Sequence, residues 1–218
     1  MKFNDYIEPH YVQACELQRG ITLDLGMVNG QADANQVRRW MQSYGLFQGI
    51  NAEVRDLIAR KFIEFRAEKQ SMTSPLSRDD IEREYSNLFM KLYKKESRSW
   101  MSATSKLLWC LYPQDIAIYD SFVHRTLLVL QHFDDDLTTL PHLGHPNRIN
   151  NEDDIKRAVS FYMTYQDMVK LLQEKHQPTL DNLRKLHQEP YPYDIRIVDK
   201  LLWMIGSGNK AYVTSVTS

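Results

Sequence analysis

The sequence predicts an all-α protein. Apolar residues recur at intervals of three and four along nearly every patterned segment, and helix-capping residues precede several of these segments. No stretch alternates cleanly enough for a sheet, because the best strand pattern, residues 116–119, is only four residues long. No repeat at a solenoid period is present. The 218 residues are 43% hydrophobic and 25% charged, so we expect one globular unit over residues 1–218.

Capping and breaking residues divide the chain into helices. The predicted N-terminal caps, in chain order, are Asp33, Asn51, Ser77, Asn151 and Asp194. Gly45 is predicted to end the first of these helices and Gly206 the last. Pro178 is expected to separate a short helix, Thr179–Gln188, from the helix before it.

One hydrophobic core is expected to join these helices. Its predicted members are Phe62, Phe65, Tyr85, Phe89, Leu107, Leu108, Leu111, Val123, Leu127 and Trp203. Arg196 and Asp199 are expected to form a structural pair that supports Trp203. Residues 134–150, with two prolines and a glycine, are predicted to be a loop, and the polar residues 207–218 a frayed tail.

The composition excludes several classes of protein. No apolar run reaches the roughly 18 residues of a membrane span, and the first residues contain Asp5 and no apolar stretch of a secretory signal. Only Cys15 and Cys110 are present, too few for a disulfide scaffold or a four-cysteine zinc or iron–sulfur site. His142 and His145 have a metal-like spacing but lack a third ligand. We therefore expect a cytoplasmic protein without membrane contact, metal or other cofactor.

The charge is unevenly distributed, although the formal net charge is only −1. Between residues 91 and 106 a single acidic residue, Glu96, faces five basic ones, which are Lys91, Lys94, Lys95, Arg98 and Lys106. Residues 132–154 are strongly acidic by contrast. The basic run indicates a surface for a polyanion such as DNA, and the same pattern is also typical of a solvated helix end.

The segment from Trp100 to Leu130 places two ionisable residues at the edges of apolar sequence. Lys106 follows the run MSATS, and Asp120 follows the apolar run that begins at Ile116. We predict that residues 101–105 form the turn of a helix–hairpin–helix, because backbone N–H groups at such a turn suit a phosphate. Asp120 and Ser121 stand where the N-terminal cap of another helix belongs.

These residues resemble the helix–hairpin–helix superfamily of DNA glycosylases. The hairpin pattern of that family, L-P-G-V-G-x-K, is matched in register by Trp100–Lys106, and its pattern V-D-T-x-V-x-R by Tyr119–Arg125. Ser102 and Thr104 replace the two hairpin glycines, and Met101 replaces the proline. No cysteine cluster follows, which excludes the iron–sulfur branch.

The resemblance covers roughly residues 93–130 and implies two helical lobes flanking a cleft. It also implies an N-glycosylase that excises a damaged or modified base from double-stranded DNA whose target nucleotide is flipped out. Asp120 corresponds to the catalytic aspartate of the family, and Lys106 to the Schiff-base lysine of members with lyase activity. The DNA contacts expected on this basis are Lys91, Lys94, Lys95, Arg98, Ser102, Thr104 and Ser105. The expected base pocket contains Trp100, Trp109 and Tyr119.

The chemistry explains why an aspartate and a lysine suit this reaction. Cleaving the bond from base to deoxyribose builds positive charge on the sugar, which a fixed carboxylate stabilises. A neutral lysine attacks the same sugar carbon and forms an imine. Each of these residues also has a purely structural interpretation. Asp120 would be a helix cap, Lys106 a solvated lysine, and the aromatic residues part of the core.

Two other functions remain open on the sequence alone. One is a non-catalytic helix–hairpin–helix DNA-binding module of a repair or phage-defence complex, which needs only the basic hairpin. The other is a helical protein-interaction domain, in which the motif is only structural. The nature of the excised base is open as well, since oxidised, alkylated and hypermodified bases all fit the pattern.

Overall fold

The computed structural model describes residues 2–30, 32–46, 50–69, 75–94, 99–146 and 148–207, without the side chains of residues 18–21. These residues form nine α-helices, one 3-10 turn (Leu137–Thr139) and no strand, which confirms the all-α class. The helices are α1 (Asn4–Cys15), α2 (Gln18–Val28), α3 (Ala34–Ser43), α4 (Ala52–Glu68), α5 (Arg78–Tyr93), α6 (Met101–Trp109), α7 (Ser121–Phe133), α8 (Glu152–His187) and α9 (Asp194–Ser207). None of these helices is both long and apolar enough to cross a bilayer.

Four of the five predicted caps begin helices as expected. Side-chain oxygens of Asp33, Asn51 and Ser77 accept backbone N–H groups three residues further on, at 2.8, 2.9 and 3.1 Å. Asn151 does the same at the start of α8, at 3.1 Å. Each bond satisfies one of the N–H groups that the first turn of a helix leaves without a partner. The predicted end of α3 before Gly45 is confirmed too.

Three predicted boundaries are wrong. Helix α8 continues through Pro178 to His187, because the buried Leu180 and Leu183 beyond the proline anchor its last turns. Helix α9 begins at Asp194 itself, whose carboxylate accepts hydrogen bonds from Arg184 and Gln177 rather than capping the helix.

Gly206 lies inside α9 and does not end it. A Cβ atom at this position would stand 2.1 Å from the carbonyl oxygen of Phe122 and 2.6 Å from Oγ1 of Thr126. Both residues belong to α7, so the glycine permits close packing of α9 against α7.

Helices α1 and α2 were not predicted, because Pro9 interrupts the pattern of the first and two glycines weaken that of the second. The predicted loop contains the short 3-10 turn, and the predicted tail lies outside the described residues beyond Ser207.

The chain divides into two compact units built from discontinuous segments. Unit 1 comprises Met1–Leu17, Ala117–His145 and Phe161–Ser218, and unit 2 comprises Gln18–Ile116 and Pro146–Ser160. Unit 1 therefore contains α1, α7, α9 and most of α8, and unit 2 contains α2 to α6 and the first turns of α8. The expectation of one globular unit with two intimate helical lobes over residues 1–218 stays a prediction.

Both units contain buried apolar side chains. In unit 2 consecutive helices pack on one another from α2 to α6, and in unit 1 α9 packs on both α1 and α7. Six of the predicted core residues in unit 2 are buried, namely Phe62, Phe65, Tyr85, Phe89, Leu107 and Leu108. The seventh, Leu111, is half-buried. In unit 1 Val123 and Leu127 are buried and Trp203 is half-buried. Arg196 and Asp199 form the expected ion pair in α9.

Candidate functional site

The turn predicted at residues 101–105 is wrong, because these residues form the first turns of α6. Helix α6 starts at Met101, and Trp100 precedes it without a side-chain cap. Ser, Ala and Thr adopt helical backbone angles without strain, and neither glycine nor proline stands here to stop the helix. The connection from α5 to α6 therefore runs from residue 94 to residue 100, and residues 95–98 lie outside the described part of the chain.

Lys106 lies in the middle of α6 and is buried. Only 2% of the residue is exposed. Its Nζ atom donates a hydrogen bond to Oγ of Ser102, one helical turn earlier, at 2.6 Å. The same atom lies 5.9 Å from the ring centre of Tyr44, within range of a cation–π interaction. Burying a lysine ammonium is energetically unfavourable, so such residues are rare outside sites that use them.

The residues expected to contact DNA phosphates do not form one exposed surface. Thr104 and Ser105 are buried, and the hydroxyl of Ser105 donates to the carbonyl of Ser102, itself half-buried. Their assignment as phosphate contacts is inconsistent with this conformation. Lys91 forms an ion pair with Glu68 at 2.5 Å, while Lys94 is exposed. The remaining two predicted contacts, Lys95 and Arg98, lie outside the described residues.

Asp120 caps α7, as predicted. Its Oδ1 atom accepts the backbone N–H of Phe122 at 2.9 Å, and the residue is half-buried. The residues before it, from Ile116, belong to neither a helix nor a strand. Their backbone groups are buried and need hydrogen-bond partners from elsewhere.

Three side chains of α8 supply those partners. The backbone N–H of Ala117 donates to Oε1 of Gln166 at 2.7 Å, and the hydroxyl of Tyr162 donates to the carbonyl of Ala117 at 2.9 Å. The hydroxyl of Tyr165 donates to the carbonyl of Ile118 at 2.7 Å. These bonds fix the backbone immediately before Asp120. Sequence reasoning did not find these three α8 residues, because only the fold brings them to this segment.

Aromatic rings surround the start of α7. Tyr119 is half-buried and packs edge-on against Tyr165 and Phe161, with ring centres 5.2 and 5.8 Å apart. Burial, together with the nearby charge of Asp120, raises the pKa of Tyr119 to about 12. Tyr119 therefore stays neutral at physiological pH and presents an uncharged ring beside the carboxylate.

His124, one turn into α7, is buried and its Nε2 atom lies 2.8 Å from the carbonyl oxygen of Gly144. Burial lowers the pKa of His124 below its ordinary value. The imidazole is therefore neutral at pH 7, with Nε2 donating to Gly144. This bond ties the loop after α7 to the helix that Asp120 begins.

Two of the three residues expected in the base pocket are buried. Trp100 and Trp109 are 3% and 0% exposed in unit 2, so their rings cannot stack on a base in this conformation. Tyr119 belongs to unit 1 and is half-buried. Lys106 and Asp120 likewise fall in different units, the first in unit 2 and the second in unit 1.

The residues that the structure describes contain no candidate metal-binding site. Within them, no three histidine, cysteine, aspartate or glutamate residues lie together in a way that could hold a metal ion. Of the two spaced histidines, His145 instead packs its ring edge-on against His124, at 5.4 Å between centres.

The comparisons with known proteins identify no relative. The chain matches no family model, no curated protein and no solved structure. The resemblance to DNA glycosylases therefore rests on the residues around Lys106 and Asp120 alone.

Proposed function

We propose that the protein is a DNA N-glycosylase, which hydrolyses the bond between a damaged or modified base and deoxyribose. Asp120 is its catalytic carboxylate. The observation that carries the proposal is the placement of Asp120, which follows a segment whose backbone is held by Gln166, Tyr162 and Tyr165. A helix cap needs only one side-chain acceptor at the right place. A carboxylate that stabilises a transition state needs a backbone that does not move during the reaction.

Asp120 acts on the charge that develops on the sugar. As the bond from C1′ to the base breaks, its electron pair leaves with the base and the deoxyribose becomes positively charged. A carboxylate beside the ring lowers the energy of that state more than that of the substrate, which raises the rate. It also orients the attacking water. The half-buried Tyr119 is neutral, and its ring is the surface on which we expect an extruded base to stack.

Lys106 adds a second step to the same proposal, and this step requires its buried amine to become accessible to the sugar, because only 2% of the residue is exposed in this conformation. A buried lysine such as Lys106 is the type of amine that enzymes use as a nucleophile. In its neutral form the Nζ atom bonds to C1′ while the base departs with the electron pair of the broken bond. Loss of the amine proton and opening of the sugar ring give an imine. Elimination of the 3′ phosphate from this imine cleaves the DNA strand.

The experiment compares two aspartates that both cap helices. Asp120→Asn keeps the volume and capping ability of the side chain but removes its charge, and Asp33→Asn does the same at the start of α3. Duplexes containing oxidised, alkylated or hypermodified bases are the substrates. We expect Asp120→Asn to release base at least about a hundredfold more slowly, because one electrostatic contact is typically worth that much. Asp33→Asn should release base at the wild-type rate.

The affinity of each variant for the duplex shows whether a loss of activity comes from catalysis or from misfolding. Both variants should bind the duplex as the wild type does, because the missing charge is needed only in the transition state. An Asp120→Asn protein as active as the wild type would contradict the assignment. Wild-type protein that binds the duplex but releases none of these bases is a DNA-binding module without catalysis.

A further inference from the structure

A cleft in unit 2 is lined by three arginine residues, Arg38, Arg39 and Arg55. Its volume is about 500 Å³. Helices α3 and α4, which pack together, form its walls. The polar lining residues are Asn35, Arg38, Arg39, Gln42, Arg55 and Asp56. The α3 residues among them are spaced three and four apart and therefore share one face of the helix. We refer to this feature as the arginine cleft.

Two of the three guanidinium groups are fixed by neighbouring groups. Arg38 forms an ion pair with Asp56 at 2.6 Å, and its second terminal nitrogen donates to Oδ1 of Asn35 at 2.5 Å. Nε of Arg55 donates to the carbonyl of Ile50 at 2.8 Å. These bonds hold the two side chains in place before any ligand arrives, which reduces the entropy lost on binding.

The third guanidinium, that of Arg39, is exposed. Among the residues that the structure describes, Arg39 has no acidic partner. The cleft thus contains three guanidinium groups and a single carboxylate, so it is electropositive. A second groove of unit 2 contains lysines instead, and two of the three, Lys69 and Lys91, are paired with Glu84 and Glu68.

We propose that the arginine cleft binds phosphodiester groups of the DNA backbone. The proposal rests on the proposed function, since it names a contact surface for the same duplex substrate. A guanidinium offers two parallel N–H donors that match two phosphate oxygens, and arginine is preferred over lysine where this geometry matters. Such contacts position a duplex without reading its sequence.

The test measures binding of a fluorescent 20-base-pair duplex by anisotropy across a range of salt concentrations. Arg39→Gln removes one charge from the cleft, and Arg60→Gln removes one from an exposed part of α4 outside the cleft. Arg39→Gln should weaken binding roughly tenfold and lower the slope of log Kd against log salt by about 0.9. Arg60→Gln should change neither quantity. Arg39→Lys should recover the salt slope but only part of the affinity.

Three results of this experiment decide whether the cleft binds DNA. The proposal is overturned if Arg39→Gln and Arg60→Gln bind the duplex equally well at every salt concentration, even when wild-type protein releases base. It is also overturned if pyrophosphate binds in the cleft while the duplex does not, because the cleft then serves a free anion. Selective loss of duplex binding in Arg39→Gln supports the cleft even if no base is ever released. In that outcome only the catalytic proposal fails.

Discussion

Lys106 illustrates what can and cannot be predicted for a single residue. The sequence places a lysine at this position in an apolar segment, and the resemblance assigns it a chemical role. Its burial could not be predicted, because residues predicted as a turn are helical and Tyr44 comes from a distant part of unit 2. An exposed lysine and a buried lysine differ strongly in free energy, so this difference has a measurable consequence.

Replacing Lys106 by methionine should separate stability from chemistry. Methionine has a similar length and volume but no charge to desolvate. We expect the free energy of unfolding in urea to rise by about 1 kcal/mol, because removing a buried charged group often stabilises a fold. Borohydride should trap wild-type protein on substrate DNA through the imine and should not trap Lys106→Met.

The exposed Lys94 is the matched control for this experiment. Lys94→Met should change the free energy of unfolding by less than about 0.5 kcal/mol and should still be trapped. A Lys106→Met protein that is strongly destabilised would mean that the ammonium group has a structural role. Trapping of Lys106→Met at the wild-type level would exclude Lys106 as the nucleophile.

At the scale of single elements, helix boundaries that depend on neighbouring residues could be predicted, whereas those that depend on tertiary packing could not. The caps at Asp33, Asn51 and Ser77 were predictable, because a cap depends on residues within one turn. The continuation of α8 through Pro178 depends on packing against the rest of unit 1, which no local pattern records. The support of the segment before Asp120 by α8 is likewise a long-range feature, so the sequence predicted the cap at Asp120 but not the residues of α8 that hold this segment.

Gly206 gives a test of packing between α7 and α9. Gly206→Ala places a Cβ atom 2.1 Å from the carbonyl oxygen of Phe122, so one helix must move. We expect a loss of about 1–3 kcal/mol in the free energy of unfolding, as for other overpacked sites. Gly26 in α2 is the matched control, since an added Cβ atom there meets nothing within 4 Å. Gly26→Ala should stabilise by about 0.5–1 kcal/mol, measured in the same urea titration. Equal effects of the two substitutions would contradict the close approach of α9 to α7.

At the scale of the whole molecule, the sequence predicted the all-α class but not how the helices divide. Helical periodicity indicates which faces are apolar, whereas the choice of partner for each face is a property of the folded chain. The buried residues predicted to share one core are distributed over the two units, with Phe62 and Leu107 in unit 2 and Val123 and Leu127 in unit 1.

Acid should destabilise the protein through two histidines of unit 1. Burial lowers the pKa values of His124 and His176, so both are neutral in the folded protein near pH 7. Unfolded histidine has a pKa of about 6.5. Below that pH the unfolded chain binds protons that the folded chain does not, so stability present above pH 6.5 is lost as the pH falls. The free energy of unfolding should decrease between pH 7 and pH 5, by at most about 1.4 kcal/mol per pH unit for each histidine.

The pH dependence is measured by urea unfolding at pH 7, 6 and 5. The double variant His124→Gln/His176→Gln should show a shallower dependence than the wild type. His132→Gln, at an exposed position of α7, is the control and should keep the wild-type dependence. Identical pH profiles for the double variant and the wild type would contradict this origin of acid sensitivity.

The packing of α1 on α9 has a consequence for the protein while it is being synthesised. Helix α1 is complete once Cys15 has been made, but its partner begins only at Asp194. At about 5–20 residues per second, the ribosome needs roughly ten to forty seconds to reach that point. During this interval the apolar residues of α1, among them Ile7 and Tyr11, lack the surface that buries them in the finished protein. Nascent chains should therefore be substrates for chaperones until α9 emerges, and unit 1 should be the last part of the molecule to fold.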